Sequence, residues 1–154
     1  MKLDDAEELA RSLMYSHTIE WWDFKFDNAV SRFGSCDFRT HTITLSRHLT
    51  ELNDEATVKQ AILHEIAHAM VGPEHTHDDR WRRAALAIGH DASRLYYDDE
   101  VRTPPGRWIG TCPVCGHQTK PRHRRRTVSC GQCCETFNPQ FQLVWTEVGE
   151  AGDP

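Results

Sequence analysis

His64-Glu65-Ile66-Ala67-His68 has the residue types and the spacing of a metal-hydrolase centre. On an α-helix, residues four apart leave one face about a turn from each other, so both imidazoles reach a single ion. This is the H-E-x-x-H pattern of zinc proteases, in which the glutamate stands beside the metal and takes a proton from its water. Three fixed letters are weak on their own; the setting strengthens them. Ile62, Leu63, Ile66, Ala67, Ala69 and Met70 are all uncharged, as a buried helix requires. A surface helix that merely carried two histidines would have polar residues at 66 and 67.

A catalytic zinc takes three protein ligands and keeps a fourth position for water. The metzincin pattern does not supply the third, because Val71 stands where it needs Gly and Glu74 where it needs His. Glu100 on a later segment and Glu74 in the loop are formal candidates. His75 and His77 are better placed, since Gly72-Pro73 breaks the helix and lets the chain turn back. His77 is expected in the first turn of the next helix, with Trp81 four residues on packing against its ring. Spacing favours His77 over His75 and leaves both open, the other being a loop side chain or a partner that orients a ligand.

Cys112-x-x-Cys115 and Cys130-x-x-Cys133 form a second pattern, with fourteen residues between the pairs. Four thiolates close on one tetrahedral zinc and leave no open position, so this site stabilises and does not catalyse. Gly116 and Gly131 suit the tight knuckle turns. Cys134 is surplus, a spare thiol or a substitute for Cys133, and the isolated Cys36 reads as a small buried thiol. Between the pairs, Lys120, Arg122, Arg124, Arg125 and Arg126 put five fixed positive charges in seven residues. They suit contact with phosphates, single-stranded DNA included, against the plainer reading of a solvated hairpin tip. Trp108, Phe137, Phe141 and Trp145 are expected to pack the ribbon more than to stack on bases.

These groups need elements to hold them. In 154 residues, 38% hydrophobic with five Trp and six Phe, there is room for one modest core, or a core and a small appendage. No apolar run approaches a membrane span and the acidic N-terminus is no secretion signal, which implies a cytoplasmic protein with no membrane partner. In that reducing setting six cysteines are metal ligands or free thiols. Up to residue 101 there are 11 Lys/Arg against 19 Asp/Glu; from 102 onward there are 7 against 4. That break, with Thr103-Pro104-Pro105-Gly106, predicts a first domain over 1–102, a linker over 103–107, a zinc ribbon over 108–146 and a disordered tail over 147–154.

Asp4 or Asp5 is expected to cap an opening helix with the apolar stripe Leu9, Leu13, Met14, ending about His17. Trp22 to Phe26 alternates apolar and charged residues as a half-buried strand does. Arg32 to Phe38 and His41 to Leu45 read as two more strands joined by a short turn. Ser46 caps a short helical turn through Leu49, and Asn53 or Asp54 starts the long helix that stops at Gly72-Pro73. A second helix starts near Thr76 to Asp78, carries Trp81, Ala84, Ala85 and Ile88, and ends about Gly89. Short strands followed by helices predict an α+β domain.

Leu63-His64-Glu65-Ile66-Ala67-His68-Ala69, then Gly72, then His77-Asp78-x-x-Trp81, resembles the SprT-like metallopeptidase family. Gly34-x-Cys36 and Ile43-x-Leu45-Ser46-x-x-Leu49 are similar to that family's strand-and-turn segment, and the likeness extends from about residue 15 to 145. The resemblance implies a zincin-like fold with a small mixed sheet packed on helices, His77 as the third ligand, and a C-terminal zinc ribbon. It also implies a protein substrate, since the family includes the protease Spartan, which degrades proteins crosslinked to DNA.

The function expected is therefore that of a zinc endopeptidase with one catalytic and one structural Zn2+. His64, His68 and His77 hold the catalytic ion and Glu65 is the general base. Two other readings compete: a nucleic-acid-binding module whose H-E-x-x-H site is structural, and a zinc hydrolase of non-peptide amides or esters. An intact Glu65 speaks against the first. The oligomeric state is left open.

Overall fold

The computed structural model describes residues 1–92, 101–104, 106–119 and 127–147. The chain divides into two compact units, Met1–Pro104 and Pro105–Pro154. Among the described residues no helix is long and apolar enough to cross a membrane.

The first unit opens with α1, Leu3–Ser16, which buries Ala6, Ala10 and Met14 at four-residue intervals. The stripe expected on Leu9, Leu13 and Met14 is thus turned toward two alanines, which let the helix approach its neighbours closely; Leu9 and Leu13 only flank the core. Asp4 and Asp5 do not cap α1. They lie inside its first turn, beside the positive end of the helix, and Lys2 holds the cap position without a side-chain bond. The helix begins earlier than expected because the Met1 ammonium is anchored on the Thr50 and Asn53 carbonyls.

Three strands follow: β1 Asp23–Asp27, β2 Gly34–Asp37 and β3 Thr42–Ser46. Their order is β1-β3-β2, with β3 parallel to β1 and antiparallel to β2. The alternation read from Trp22 onward holds: Trp22 and Phe24 are buried, and Phe24 and Phe26 stand opposite Ile43 and Leu45 of β3. Ser46 ends β3 and caps α2, Arg47–Leu52, its hydroxyl accepting the Leu49 N–H at 3.1 Å.

The central element is α3, Glu55–Val71, started by Asp54, whose carboxylate accepts the Thr57 N–H at 2.9 Å. From Ala61 to Ala67 every residue is buried, so this stretch of the helix is covered on all sides, whereas Met70 beyond it is 44% exposed. Each of Ile62, Leu63 and Ile66 contributes roughly 1.5–3 kcal/mol by leaving water. Gly72 stops the helix at φ +95°, a conformation costly for any residue with a Cβ. Then α4, Asp79–Ala87, starts on Asp78, whose carboxylate accepts the N–H groups of Arg80 and Trp81. Trp81 and Ala85 of α4 pack on Ala67 and Val71 of α3. The α+β class read from the sequence is the one observed.

The second unit is a small antiparallel pair, β4 Trp108–Thr111 and β5 Val144–Glu147. A short 3-10 turn, Pro139–Phe141, lies between them in sequence. Its buried core is Cys112, Cys130 and Leu143, with Phe141, Trp145 and Cys133 packed against it. Phe141 and Trp145 pack the ribbon as expected, whereas Phe137 is 55% exposed.

Candidate metal centres

His64 and His68 leave α3 on the face turned to α4, four residues apart as the helix dictates. His77 meets them from the loop. Its Nε2 lies 2.9 Å from His64 Nε2 and 3.1 Å from His68 Nε2. A tetrahedral zinc about 2.0–2.1 Å from each nitrogen sets them roughly 3.3 Å apart, so the three imidazoles fit such an ion with a small outward adjustment. Trp81 packs against all three rings, at centroid distances of 4.8, 5.3 and 4.6 Å from His64, His68 and His77. The packing of Trp81 on His77 is as expected, but His77 does not sit in the first turn of the helix. It precedes the Asp78 cap and has φ +59°, a left-handed backbone that turns its ring back over α3.

The donors are ready for a cation. Burial, followed by the neighbouring histidines, holds the pKa of His64 down at about 3. Burial and His77 hold His68 at about 4, while a hydrogen bond to the His75 backbone pulls the other way. Because that bond favours the protonated ring, the His75 carbonyl is the acceptor. A neutral His68 ring that donates there keeps a lone pair on its other nitrogen for a cation. This is how His75 takes part: its own ring pairs with Asp78 at 2.7 Å and lies outside the cluster. Glu74 is exposed beside Gly72 and also outside it. Glu100 falls outside the described residues.

Glu65, next to His64, is buried and faces a cleft of about 380 Å³ that it shares with His68, His77, Arg32, Cys36 and Phe38. Burial pushes its carboxyl up to about 8, and the Arg32 charge works against that. Cys36 is half-buried on the cleft wall, and burial together with the Glu65 charge pushes its thiol up to about 12, so it is no nucleophile. Gly34 lies over Glu65. A Cβ there would come within 2.7 Å of the Glu65 Cγ and 2.8 Å of its Oε1. Gly34→Ala is therefore expected to displace the carboxylate, leaving zinc affinity within a few-fold and slowing cleavage by about 10². Zinc titration beside a cleavage assay checks the split.

The same shifts are expected to give the metal-free first unit a stability maximum near pH 6.5. Glu65 keeps its proton up to about 8 when folded against 4.5 ordinarily, so the folded state binds more protons and stability falls as pH rises through that range. His64 and His68 drop from 6.5 to about 3 and 4, so the unfolded chain binds more protons below 6.5 and stability falls as pH drops. Thermal melts in chelator across this range test both slopes, and Glu65→Gln should flatten the alkaline one.

His90 is a buried histidine that no sequence spacing marks. It is 2% exposed, its ring 5.4 Å from that of His64 and 5.7 Å from that of Trp81. Gln60, one turn before His64, holds it there by bonding Gly89 O and Asp91 N on either side.

In the second unit, Cys112, Cys115, Cys130 and Cys133 gather their sulfurs within 4.8 Å of one another. Cys112 and Cys133 are 3.9 Å apart and Cys115 and Cys130 3.7 Å, against roughly 3.8 Å for thiolates about 2.3 Å from a tetrahedral zinc. None of the six cysteines is in a disulfide. Backbone N–H groups of Cys115 and Val114 help pull the Cys112 thiol down to about 7, and a hydrogen bond with Cys115, then burial and the bonds with Cys130 and Cys112, hold the proton on Cys133. Cys134 turns away to donate to the Cys130 carbonyl at 3.4 Å. Gly116 has φ +72° and is needed in its knuckle; Gly131 has neither a positive φ nor a close neighbour, so the second knuckle does not require it. Lys120, Arg122, Arg124, Arg125 and Arg126 lie outside the described residues.

The model of the SprT-like family matches residues 7–101. A comparison with curated proteins finds no match. Among solved structures, the crystal structure of the metallopeptidase zymogen of Methanocaldococcus jannaschii jannalysin is 19% identical, with a TM-score of 0.46 over 62% of this chain and 85% of that one. A likeness this loose says nothing of activity. The family match and the two donor clusters together support a zinc-metallopeptidase type of function.

Proposed function

Because the chain belongs to the SprT-like family, we propose that it is a zinc endopeptidase, with one catalytic and one structural ion, that cleaves proteins bound or crosslinked to DNA. The observation that carries the reading is the meeting of three Nε2 atoms beside a buried carboxylate on an open cleft. His64, His68 and His77 hold the catalytic ion as neutral imidazoles. When bound there, zinc supplies Lewis-acid activation of water and of the scissile carbonyl. Glu65 takes the proton of the attacking water on its carboxylate and delivers it to the leaving nitrogen. Its raised pKa in the metal-free site fits a group that must both accept and return a proton. Cys36 and Phe38 form the apolar part of the wall beside it.

The four ribbon cysteines take the structural ion. The DNA-linked substrate rests on the family resemblance and on the charges of Lys120, Arg122, Arg124, Arg125 and Arg126, which suit phosphates. Six unpaired cysteines suit a reducing cytoplasm. The test is to count zinc per chain, then to assay cleavage of a DNA-binding protein with and without single-stranded DNA. Two ions and DNA-stimulated cleavage are expected. Cleavage indifferent to DNA removes the role given to the basic run. Two ions without hydrolysis of any protein turns the reading to a nucleic-acid-binding module.

A further inference from the structure

Arg32 is the one fixed cation among the described residues lining the cleft that holds Glu65 and the three histidines. Its position is built by all three strands. Its Nη2 pairs with Asp27 at 2.6 Å. Asp27 in turn accepts the Ala29 N–H at 2.9 Å and the Thr44 hydroxyl at 3.0 Å, and Thr44 bonds Ser35 at 2.7 Å. The segment that carries Arg32 is also pinned to β3, since Ser46 donates through Oγ to the Ala29 carbonyl and through N to the Phe33 carbonyl.

The Arg32 side chain remains 46% exposed, against 25% for that of Asp27. Asp27 has its other donors, so it orients the guanidinium without using up its five N–H groups. A cation fixed in advance and half open to a cleft loses little freedom when it binds, and its planar fork matches a carboxylate. Its charge favours the ionised form of Glu65, but it carries no proton and holds no ion in the chemistry described above. Zinc, when present, adds positive charge to the same cleft, which a basic substrate side chain would meet with repulsion.

We propose that Arg32 is a specificity-determining residue that seats an acidic side chain of the protein substrate next to the scissile bond. This rests on the peptidase reading and adds to it a substrate chemistry. The test uses labelled peptides identical except for Glu, Gln or Lys at each position in turn. Their affinity is read by fluorescence anisotropy on zinc-loaded Glu65→Gln protein, and their cleavage is measured with the wild-type chain.

The expected result is a preference of about ten-fold for Glu over Gln at one position, as a charge-assisted bond gives. Arg32→Gln should erase it, Arg32→Glu should turn it toward Lys, and Arg32→Lys, which keeps the charge and loses the fork, should retain part of it. Thermal melts confirm that each variant is folded, and Arg32→Lys covers the case in which losing the Asp27 pair unfolds the others. Wild-type cleavage with the same preferences in Arg32→Gln overturns the proposal and leaves the peptidase. Arg32-dependent binding of the Glu peptides with no wild-type cleavage keeps the seat and overturns the peptidase. Neither binding nor cleavage overturns both.

Discussion

Glu65→Gln is expected to keep the metal content of the chain and to lower cleavage by a factor of about 10²–10⁴. Glutamine has the same shape and size, and Gly34, having no Cβ, leaves the side chain its place. The carboxamide fills the buried place without strain, but it cannot accept the proton of the attacking water. The three imidazoles do not depend on it, since their lone pairs are set by burial and, for His68, by the His75 carbonyl. Zinc per chain and single-turnover cleavage, measured on one preparation, separate binding from chemistry. Undiminished proteolysis by this variant would remove Glu65 from the mechanism. Loss of zinc together with activity would instead make it a ligand.

Cys112→Ser is expected to lower zinc from two ions per chain to one and to unfold the second unit alone. Among the described residues the buried core of that unit is two of its own cysteines and Leu143, too little apolar surface to order it without an ion. Structural zinc supplies about 10–16 kcal/mol in comparable sites, more than the whole stability of an ordinary domain. The first unit has a separate core between α1, the sheet and α3, so its thermal transition should persist. Limited proteolysis followed by mass spectrometry is the direct check: cuts absent from the wild-type chain should appear after residue 105. A second unit that stays protected and folded in the serine variant would rule out a metal-built ribbon.

The sequence is most legible where structure is local. Asp54, Ser46 and Gly72 announce the ends of α2 and α3 by their own chemistry, and the spacing of His64 and His68 follows from the helix. The gathering of the four ribbon sulfurs is legible too, because each knuckle is a turn within four residues. What is hidden comes from residues distant in sequence. The parallel pairing of β1 with β3 places the last strand in the middle, which alternation alone cannot say. Gly34 reads as an ordinary strand glycine until Glu65 is found under it. His77 is found by type and misplaced by conformation, since a left-handed histidine before a cap has no sequence signature. His90 is set beside His64 by Gln60 from another part of the chain.

Trp81 lies against His64, His68 and His77 alike. One buried fluorophore thus touches each of the groups that would have to shift when a cation enters. The protein carries its own optical gauge of occupancy, readable without a dye, and replacing zinc with a coloured ion such as cobalt would darken that indole before any more distant one.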